Sequence, residues 1–187
     1  MLYFSHMKRK NIFTIIISFI PVASLVVGSV LFLEHRGKIL PRWINWEKTA
    51  LTWETPENTY SVKVGRKKIQ AFSGPDEVWS LDSEKYKIQD ALIMDVDRDG
   101  KDDLVVLCWR IGRYDSVPFW EEDPQVWTQH IYIYKTENSE IRPLWMASDI
   151  GPLVDSWRCD EKFLYLHSPD GSENRWIWME WGFVLAN

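Results

Sequence analysis

The residues best suited to chemistry lie in one short stretch, "DVDRDGKDD" at residues 95–103. Asp95, Asp97 and Asp99 alternate along it, Gly100 follows, and Asp103 closes it. Carboxylates at this density disfavour one another's ionised form unless a cation or hydrogen-bond donors neutralise them. The spacing therefore predicts a bound cation.

The type of ligand favours calcium. The predicted ligands are the side-chain carboxylates of Asp95, Asp97, Asp99 and Asp103 and the backbone carbonyl of Lys101. With one water they supply about six oxygens, the lower end of what Ca²⁺ takes. The stretch has no His or Cys, so zinc and softer metals are not expected. Mg²⁺ is excluded less firmly, and the alternative to any metal is an acidic turn whose aspartates cap backbone N–H groups.

The flanking sequence places this stretch between two strands. "ALIM" precedes it and "LVVLCW" follows it, and both are apolar runs of strand length. Gly100 permits the positive φ that lets the chain turn back. Asp102 is expected to point away from the cation. An EF-hand is not expected, because the twelfth position of the loop is Val106 rather than Glu.

An internal repeat surrounds the stretch. The matching segments are residues 78–95 with 144–160, 104–109 with 163–168, and 130–134 with 175–179. Trp79 then matches Trp145, Asp90 matches Asp155 and Asp95 matches Asp160. The second copy lacks the carboxylate stretch and is six residues shorter there in this alignment. A half copy, "TYSVKV" followed by "DEVWSL", precedes the first full unit.

These periods predict an all-β fold. Ten or eleven short strand candidates follow residue 49, with no helical period among them. A repeat with about four strands is typical of a propeller blade. We therefore expect about three antiparallel, propeller-blade-like sheets preceded by an N-terminal transmembrane helix. Closed propellers typically have at least four blades, so the propeller is expected to be incomplete.

The stretch "DVDRDGKDDLVVL" resembles the calcium loop of FG-GAP or VCBS repeat proteins. The resemblance extends from about Ser73 to the C-terminus and includes the segments around Trp79, Trp109 and Trp145. It implies a secreted or membrane-anchored bacterial protein in which an Asp-x-Asp-x-Asp-Gly-x-x-Asp loop joins two strands of a blade and binds calcium.

The N-terminal third predicts a membrane anchor. Residues 12–33 carry no charge and are long enough to cross a bilayer, and the basic run "KRK" precedes them. The predicted organisation is a cytoplasmic N-terminus, a transmembrane helix or signal anchor, a juxtamembrane linker and an extracytoplasmic β domain, at residues 1–10, 11–33, 34–48 and 49–187. The protein would be single-pass in the cell membrane, or secreted if the segment is cleaved.

Charge and cysteine content restrict the partners. All 27 acidic residues lie beyond residue 33, against 19 Lys and Arg once the three of the basic run are set aside, which gives a formal charge of −8. Such an acidic region argues against nucleic acid. Cys108 and Cys159 are the two cysteines, and two alternatives stay open: a disulfide outside the cell, or two buried thiols.

The aromatic residues suggest a binding role. Most of the twelve Trp are assigned to packing between sheets. The long connection at residues 110–127 predicts either a lid or a binding lip formed by Arg113, Tyr114, Phe119 and Trp120.

Catalysis is not expected. The sequence has no Gly-x-Ser-x-Gly, His-Glu-x-x-His or phosphate-loop motif, and His130 and His167 stand alone. The predicted function is a non-catalytic binding or scaffolding module at the cell envelope, with a protein or carbohydrate partner and one structural calcium. The alternatives are an accessory subunit that completes a partner's propeller and an accessory domain of an envelope hydrolase.

Overall fold

The structure is a computed structural model that describes residues 24–46, 49–82, 84–112, 122–123, 125–147 and 149–186. It contains two compact units, which meet in sequence between Pro41 and Arg42.

The first unit contains one described helix, at residues 24–35. It ends at Gly37, whose φ is 65°, with bonds from Gly37 N–H to the Glu34 carbonyl (2.9 Å) and from Lys38 N–H to the Leu33 carbonyl (2.9 Å), the pattern of a Schellman cap. Among the described residues, no helix has the length and apolar content needed to span a membrane. Residues 11–23 of the predicted anchor lie outside the described residues.

The described residues of the second unit form twelve strands in three antiparallel sheets. The first sheet contains β1 to β4, at Thr49–Glu54, Thr59–Gly65, Lys68–Ser73 and Asp76–Asp82. The second contains β5 to β8, at Tyr86–Met94, Asp103–Ile111, Trp127–Glu137 and Glu140–Met146. The third contains β9 to β12, at Ser156–Cys159, Phe163–His167, Glu173–Met179 and Gly182–Leu185. Consecutive strands pair in each sheet, and none of the sheets is closed. The all-β prediction is confirmed at this level.

Hydrophobic periodicity explains which strands face solvent. Tyr60, Val62 and Val64 of β2 are buried and alternate with exposed residues, as in a strand with one wet face. By contrast, the run from 103 to 109 in β6 is buried throughout. A continuous apolar run is expected of a strand covered on both faces, so the second sheet is the central layer.

Two apolar clusters separate the three sheets. In the first, Leu104 and Val106 of β6 pack with residues of the first sheet such as Trp53, which is fully buried. In the second, Val105 and Leu107 pack with third-sheet residues that include Leu164, Leu166 and Phe183. Alternate residues of one strand thus hold both interfaces together. Strand β5 also contacts β1 on one side and β9 on the other.

A buried amide network fixes the chain before β9 against the second sheet. Gln129 donates from Nε2 to the Val154 carbonyl (2.7 Å) and accepts from the Val154 N–H (2.6 Å). The Gln89 oxygen accepts from Gln129 Nε2 (2.8 Å) and from the Trp109 indole (2.7 Å). Gln89 and Gln129 are 6% and 2% exposed, and these bonds satisfy polar groups that would be costly to bury alone.

The repeat corresponds to whole sheets. Trp79 lies in β4 and Trp145 in β8, the same position in successive sheets, as predicted. The count of ten or eleven strands is wrong, since the part of the chain that the structure describes already forms twelve. The supposed half copy is a complete four-stranded sheet. The alignment detected β2 and β4 but not β1, which pairs with β2, or β3, which pairs with both β2 and β4.

The alignment is one residue out on both sides of the carboxylate stretch. Leu104 and Leu164 each face the preceding sheet, whereas Phe163, which was matched to Leu104, lies beneath Lys162 on the opposite face. A shift of one residue moves a strand side chain to the other face. The strand pairs Ile93–Leu104 and Cys159–Leu164 each face the preceding sheet and enclose ten and four residues, so the second turn is shorter by six residues, as the alignment had it.

Two further features concern the predicted linker and the cysteines. Part of the predicted linker packs on the β unit, since Ile44 is 5% exposed and the Trp43 ring lies 6.0 Å from that of Trp109. Cys108 and Cys159 are both free thiols. Cys108 belongs to the first cluster and Cys159 packs against the second, so the central sheet separates them.

Candidate metal centre

The carboxylate stretch forms the turn between β5 and β6, as predicted. The strand ladder closes at the pair Met94 and Asp103, and the turn lies beyond that pair. Gly100 has a φ of 84°, as expected, and nothing lies within 4 Å of where its Cβ would be. Arg98 has a φ of 60°, which the sequence did not predict. Two positive φ values give the turn its compact shape.

Asp95, Asp97 and Asp99 converge in this turn. One carboxylate oxygen from each lies within 4.8 Å of the others. We call these three residues the Asp triad. Asp95 and Asp97 are half-buried and Asp99 is exposed. The three oxygens are therefore close enough for one cation to contact all of them, and the site opens to solvent on one side.

The triad also shapes the backbone. The Asp99 N–H bonds to Asp95 Oδ1 (3.1 Å) and to Asp97 Oδ1 (3.2 Å). The Gly100 N–H bonds to Asp95 Oδ2 (2.9 Å), and the Lys101 N–H to Asp99 Oδ1 (2.9 Å). These are the capping bonds that the acidic-turn alternative predicts. Each carboxylate oxygen has two lone pairs, so capping leaves acceptor capacity for a cation.

Asp103 lies beneath the triad and is not one of its members. It is 2% exposed, and its Oδ2 accepts the Val96 N–H at 3.0 Å. Burial, reinforced by the negative charges of Asp97, Asp99 and Asp95, raises the pKa of Asp103 to about 7. A buried carboxylate in this state is stabilised in its ionised form by a nearby cation.

Lys101 and Asp102 connect the turn to its surroundings. Lys101 Nζ lies 4.0 Å from Glu57 Oε1. The ligand role of the Lys101 carbonyl stays a prediction. The Asp102 carbonyl accepts the Trp53 indole N–H at 2.7 Å, which ties the turn to the first sheet. Burial, with the charges of Asp95 and Glu54, raises the pKa of the Asp102 side chain, which is not part of the triad.

The charge around the triad remains negative. Among the described residues, one ion pair reaches it, between Lys135 Nζ and Asp97 Oδ2 at 3.9 Å, and the Lys135 side chain is 34% exposed. Arg98 points elsewhere, donating from Nη2 to the Lys162 carbonyl at 3.4 Å. One partly screened ammonium does not balance three carboxylates.

The equivalent turn of the third sheet has no such cluster. Asp160 accepts bonds from the Lys162 N–H (2.8 Å), the Phe163 N–H (2.7 Å) and the Tyr165 hydroxyl (2.8 Å). These bonds lower the pKa of Asp160, because they favour its ionised form. The single carboxylate is used by its own turn, as expected for a copy that has lost the loop.

Sequence reasoning missed two residues of the site, Trp53 and Lys135. Trp53 is 42 positions before Asp95 and Lys135 is 40 after it, so no local spacing signals either contact. Arg113, Tyr114, Phe119 and Trp120, the proposed binding lip, lie outside the described residues.

The isolated histidines are packed or paired. The His130 ring is fully buried, with Nδ1 at 2.9 Å from the Ala147 carbonyl and Nε2 at 2.9 Å from Thr128 Oγ1. Burial lowers the pKa of His130. His167 Nε2 lies 2.7 Å from Glu173 Oε2 on the surface.

Comparison with known proteins identifies no relative. No family model matches the chain, and neither does any curated protein or solved structure. The chemistry of the turn therefore has to be argued from its own geometry.

Proposed function

We propose that the protein is a non-catalytic, membrane-anchored binding or scaffolding module outside the cytoplasm, with one structural calcium ion in the turn between β5 and β6. The observation that carries the proposal is the Asp triad, whose oxygens lie within 4.8 Å of one another above the buried carboxylate of Asp103. The resemblance to FG-GAP or VCBS repeats belongs to the same proposal.

The donors suit calcium. The triad offers hard, anionic oxygens with no nitrogen or sulfur among them, which is the ligand set of Ca²⁺. A divalent cation would offset the repulsion among the triad and would favour the ionised form of Asp103. Because β6 begins at Asp103 and contributes to both apolar clusters, calcium at this point would stabilise the whole β unit.

The state of the histidines supports a non-catalytic role. A general base needs an accessible ring nitrogen near neutral pKa. Both ring nitrogens of His130 are engaged inside the second sheet, and His167 is paired with Glu173.

The same proposal describes the sheets as three blades of an incomplete propeller. Each is a four-stranded meander, and they stack through two apolar clusters. The first strand of the second sheet, β5, contacts β1, β2 and β3 of the first sheet and β9 of the third. Three blades are fewer than the four or more of closed propellers.

The third sheet favours a second candidate function, completion of a partner's propeller. Its outer face carries Phe163, Tyr165 and Ile177, which alternate with residues that point into the second cluster. Arg158 lies 3.7 Å above the Tyr165 ring and Arg175 4.7 Å above Phe163. A partner's sheet could stack on this face. Light scattering tests this: mass that rises with concentration supports it, and a strict monomer at high concentration with no pairing partner contradicts it.

The membrane anchor is supported by the composition of the described helix. Large apolar side chains there are exposed by 40 to 72%, namely Leu25, Val26, Val27, Leu31, Phe32 and Leu33. An apolar surface of this kind is stable in lipid. Alkaline carbonate extraction should leave the protein in the membrane pellet, and full release would contradict the anchor.

Calcium titration tests the central claim. Extracellular calcium modules often have dissociation constants of about 10⁻⁴ to 10⁻³ M, so about 10 mM calcium should stabilise the folded chain by about 1.4 to 2.7 kcal/mol. That corresponds to a rise in melting temperature of roughly 3 to 11 °C. Asp97→Asn keeps the acceptor for the Asp99 N–H but removes one ligand charge, so it should abolish most of the rise.

Asp160→Ala is the matched control. It lowers the overall stability by removing turn bonds, but it should leave the calcium-dependent rise intact because its turn has no cluster. Identical melting curves in calcium and in chelator, for a chain shown to be folded, would mean that the triad only caps the turn.

A further inference from the structure

A second site, away from the turn, is a polar cavity where the first strands of the three sheets meet. Its volume is about 310 Å³, and its walls include Thr49 of β1, Asp90 of β5, and Ser156 and Trp157 of β9. This is at the lower end of the range for small-molecule sites, about 300 to 1,000 Å³, and about ten times the volume that one water occupies. The cavity is large enough for a compact organic molecule.

The repeat brings two carboxylates to this cavity. Asp90 pairs with Leu107 in the ladder between β5 and β6. Asp155, which the sequence repeat matches to Asp90, bonds through its N–H to the His167 carbonyl at 2.9 Å. Both residues line the cavity. The stacking of the second and third sheets therefore brings two carboxylate residues to one space.

Neither carboxylate has a cationic partner in the described part of the chain. Asp90 accepts the Trp157 indole N–H at Oδ2 (2.8 Å) and the Ala91 N–H at Oδ1 (2.9 Å). Asp155 accepts the Ser156 hydroxyl at 3.0 Å. All these donors are neutral, and no described Lys, Arg or His lines the cavity. A cleft with one sign of charge concentrates ligands of the opposite sign.

The wall of the cavity is rigid. Gln89 lines it, and its side chain makes two hydrogen bonds. Its Nε2 donates to the Val154 carbonyl (3.0 Å), and its Oε1 accepts the Trp109 indole N–H (2.7 Å). A wall fixed before binding reduces the ordering that a ligand must otherwise impose. Because the Gln89 amide is already engaged, the anionic acceptors among the lining residues are those of the two aspartates.

We propose that this cavity binds a small organic cation through a primary ammonium group held by Asp90 and Asp155. An ammonium offers three donors and one positive charge, which match two carboxylates that retain acceptor capacity. Such charge-assisted bonds are about twice as strong as neutral ones. A bare metal ion would fill little of the volume, and a neutral polyol would leave both charges uncompensated.

Calorimetric titration of the full 187-residue chain in neutral detergent tests this proposal. The probe is 1,4-diaminobutane, with 1,4-butanediol as its uncharged match. Calcium at about 10 mM keeps the separate turn site occupied, and salt at about 0.15 M screens weak surface attraction. We expect the diamine to bind and the diol not to bind. Asp90→Asn and Asp155→Asn, which keep the side-chain shape, should each weaken binding about tenfold or more.

Asp76→Asn, at an exposed aspartate of β4, is the control and should leave the affinity unchanged. If Asp90→Asn unfolds the protein, Asp155→Asn decides, because its side chain is exposed and bonds only to Ser156 among the described residues. The Trp157 indole proton provides a direct reading by NMR, since it points at Asp90 and should shift on binding. Diamine binding that is absent, equal in all variants, or matched by the diol would overturn the proposal.

Discussion

Asp103→Asn should stabilise the calcium-free protein at neutral pH. Asp103 is 2% exposed, and burial together with the charges of Asp97, Asp99 and Asp95 raises its pKa to about 7. Its ionisation therefore opposes folding when no cation is bound. The carboxamide has the same shape, and its oxygen can still accept the Val96 N–H, now 3.0 Å from Oδ2.

The size of the effect follows from the pKa difference. The reference pKa is 3.8 and the folded value about 7, a difference of about three units, and each unit corresponds to about 1.4 kcal/mol. The pKa of Asp103 is higher in the folded than in the unfolded chain. Its contribution to the free energy of unfolding is therefore most favourable below pH 3.8, where both states are protonated, and is lost as the pH rises to about 7. Wild-type Asp103 should therefore cost up to about 4 kcal/mol at pH 8, of which about 2.6 kcal/mol develops between about pH 5 and pH 8.

Thermal unfolding in chelator at pH 5 and at pH 8 measures this difference. The advantage of Asp103→Asn over wild type should be larger at pH 8 by roughly 5 to 11 °C. Asp76→Asn, at an exposed position, should show no such growth. If the advantage is the same at both pH values, or if the variant is less stable at pH 8, the buried carboxylate does not oppose folding and the reasoning is wrong.

Two other predictions concern packing and a second titration. Gly182→Ala should lower the unfolding free energy by about 1 to 3 kcal/mol, since φ is 153° and an added Cβ would lie 2.8 Å from the Trp145 ring. Gly65→Ala, with only a backbone oxygen at 3.5 Å, should change it by less than about 1 kcal/mol, and equal losses in urea unfolding would refute the clash. Burial lowers the pKa of His130, so in an Asp103→Asn background the stability should fall as the pH drops below about 6.5. Adding His130→Gln should flatten that slope, and an unchanged slope would assign it to another group.

Local periodicity predicted the sheets because it records which face of each strand is buried. The alternation in β2 and the unbroken apolar run in β6 are direct consequences of one-sided and two-sided burial. The same holds for the turn, because the spacing of Asp95, Asp97 and Asp99 and the position of Gly100 are local features.

Contacts between sheets could not be predicted in the same way. The bond from Trp53 to the Asp102 carbonyl depends on how the first sheet stacks on the second. The approach of Asp90 and Asp155 to one cavity depends on the stacking of the second sheet and the third, although the repeat had already matched the two residues. A one-residue error in the repeat was also invisible in sequence, since strands tolerate either match until their buried face is known.

The central position of the second sheet has a consequence for biosynthesis. The first sheet is complete at Asp82, but the strands that cover its apolar face end only at Met146, roughly 60 residues later. At about 5 to 20 residues per second, Trp53 and its neighbours stay uncovered on the ribosome for about 3 to 12 seconds. Each sheet pairs neighbouring strands, so each can form as soon as it emerges, yet only the second can shelter the first. A nascent chain that pauses in this interval exposes the apolar face of the first sheet, to which chaperones that recognise apolar strands would bind.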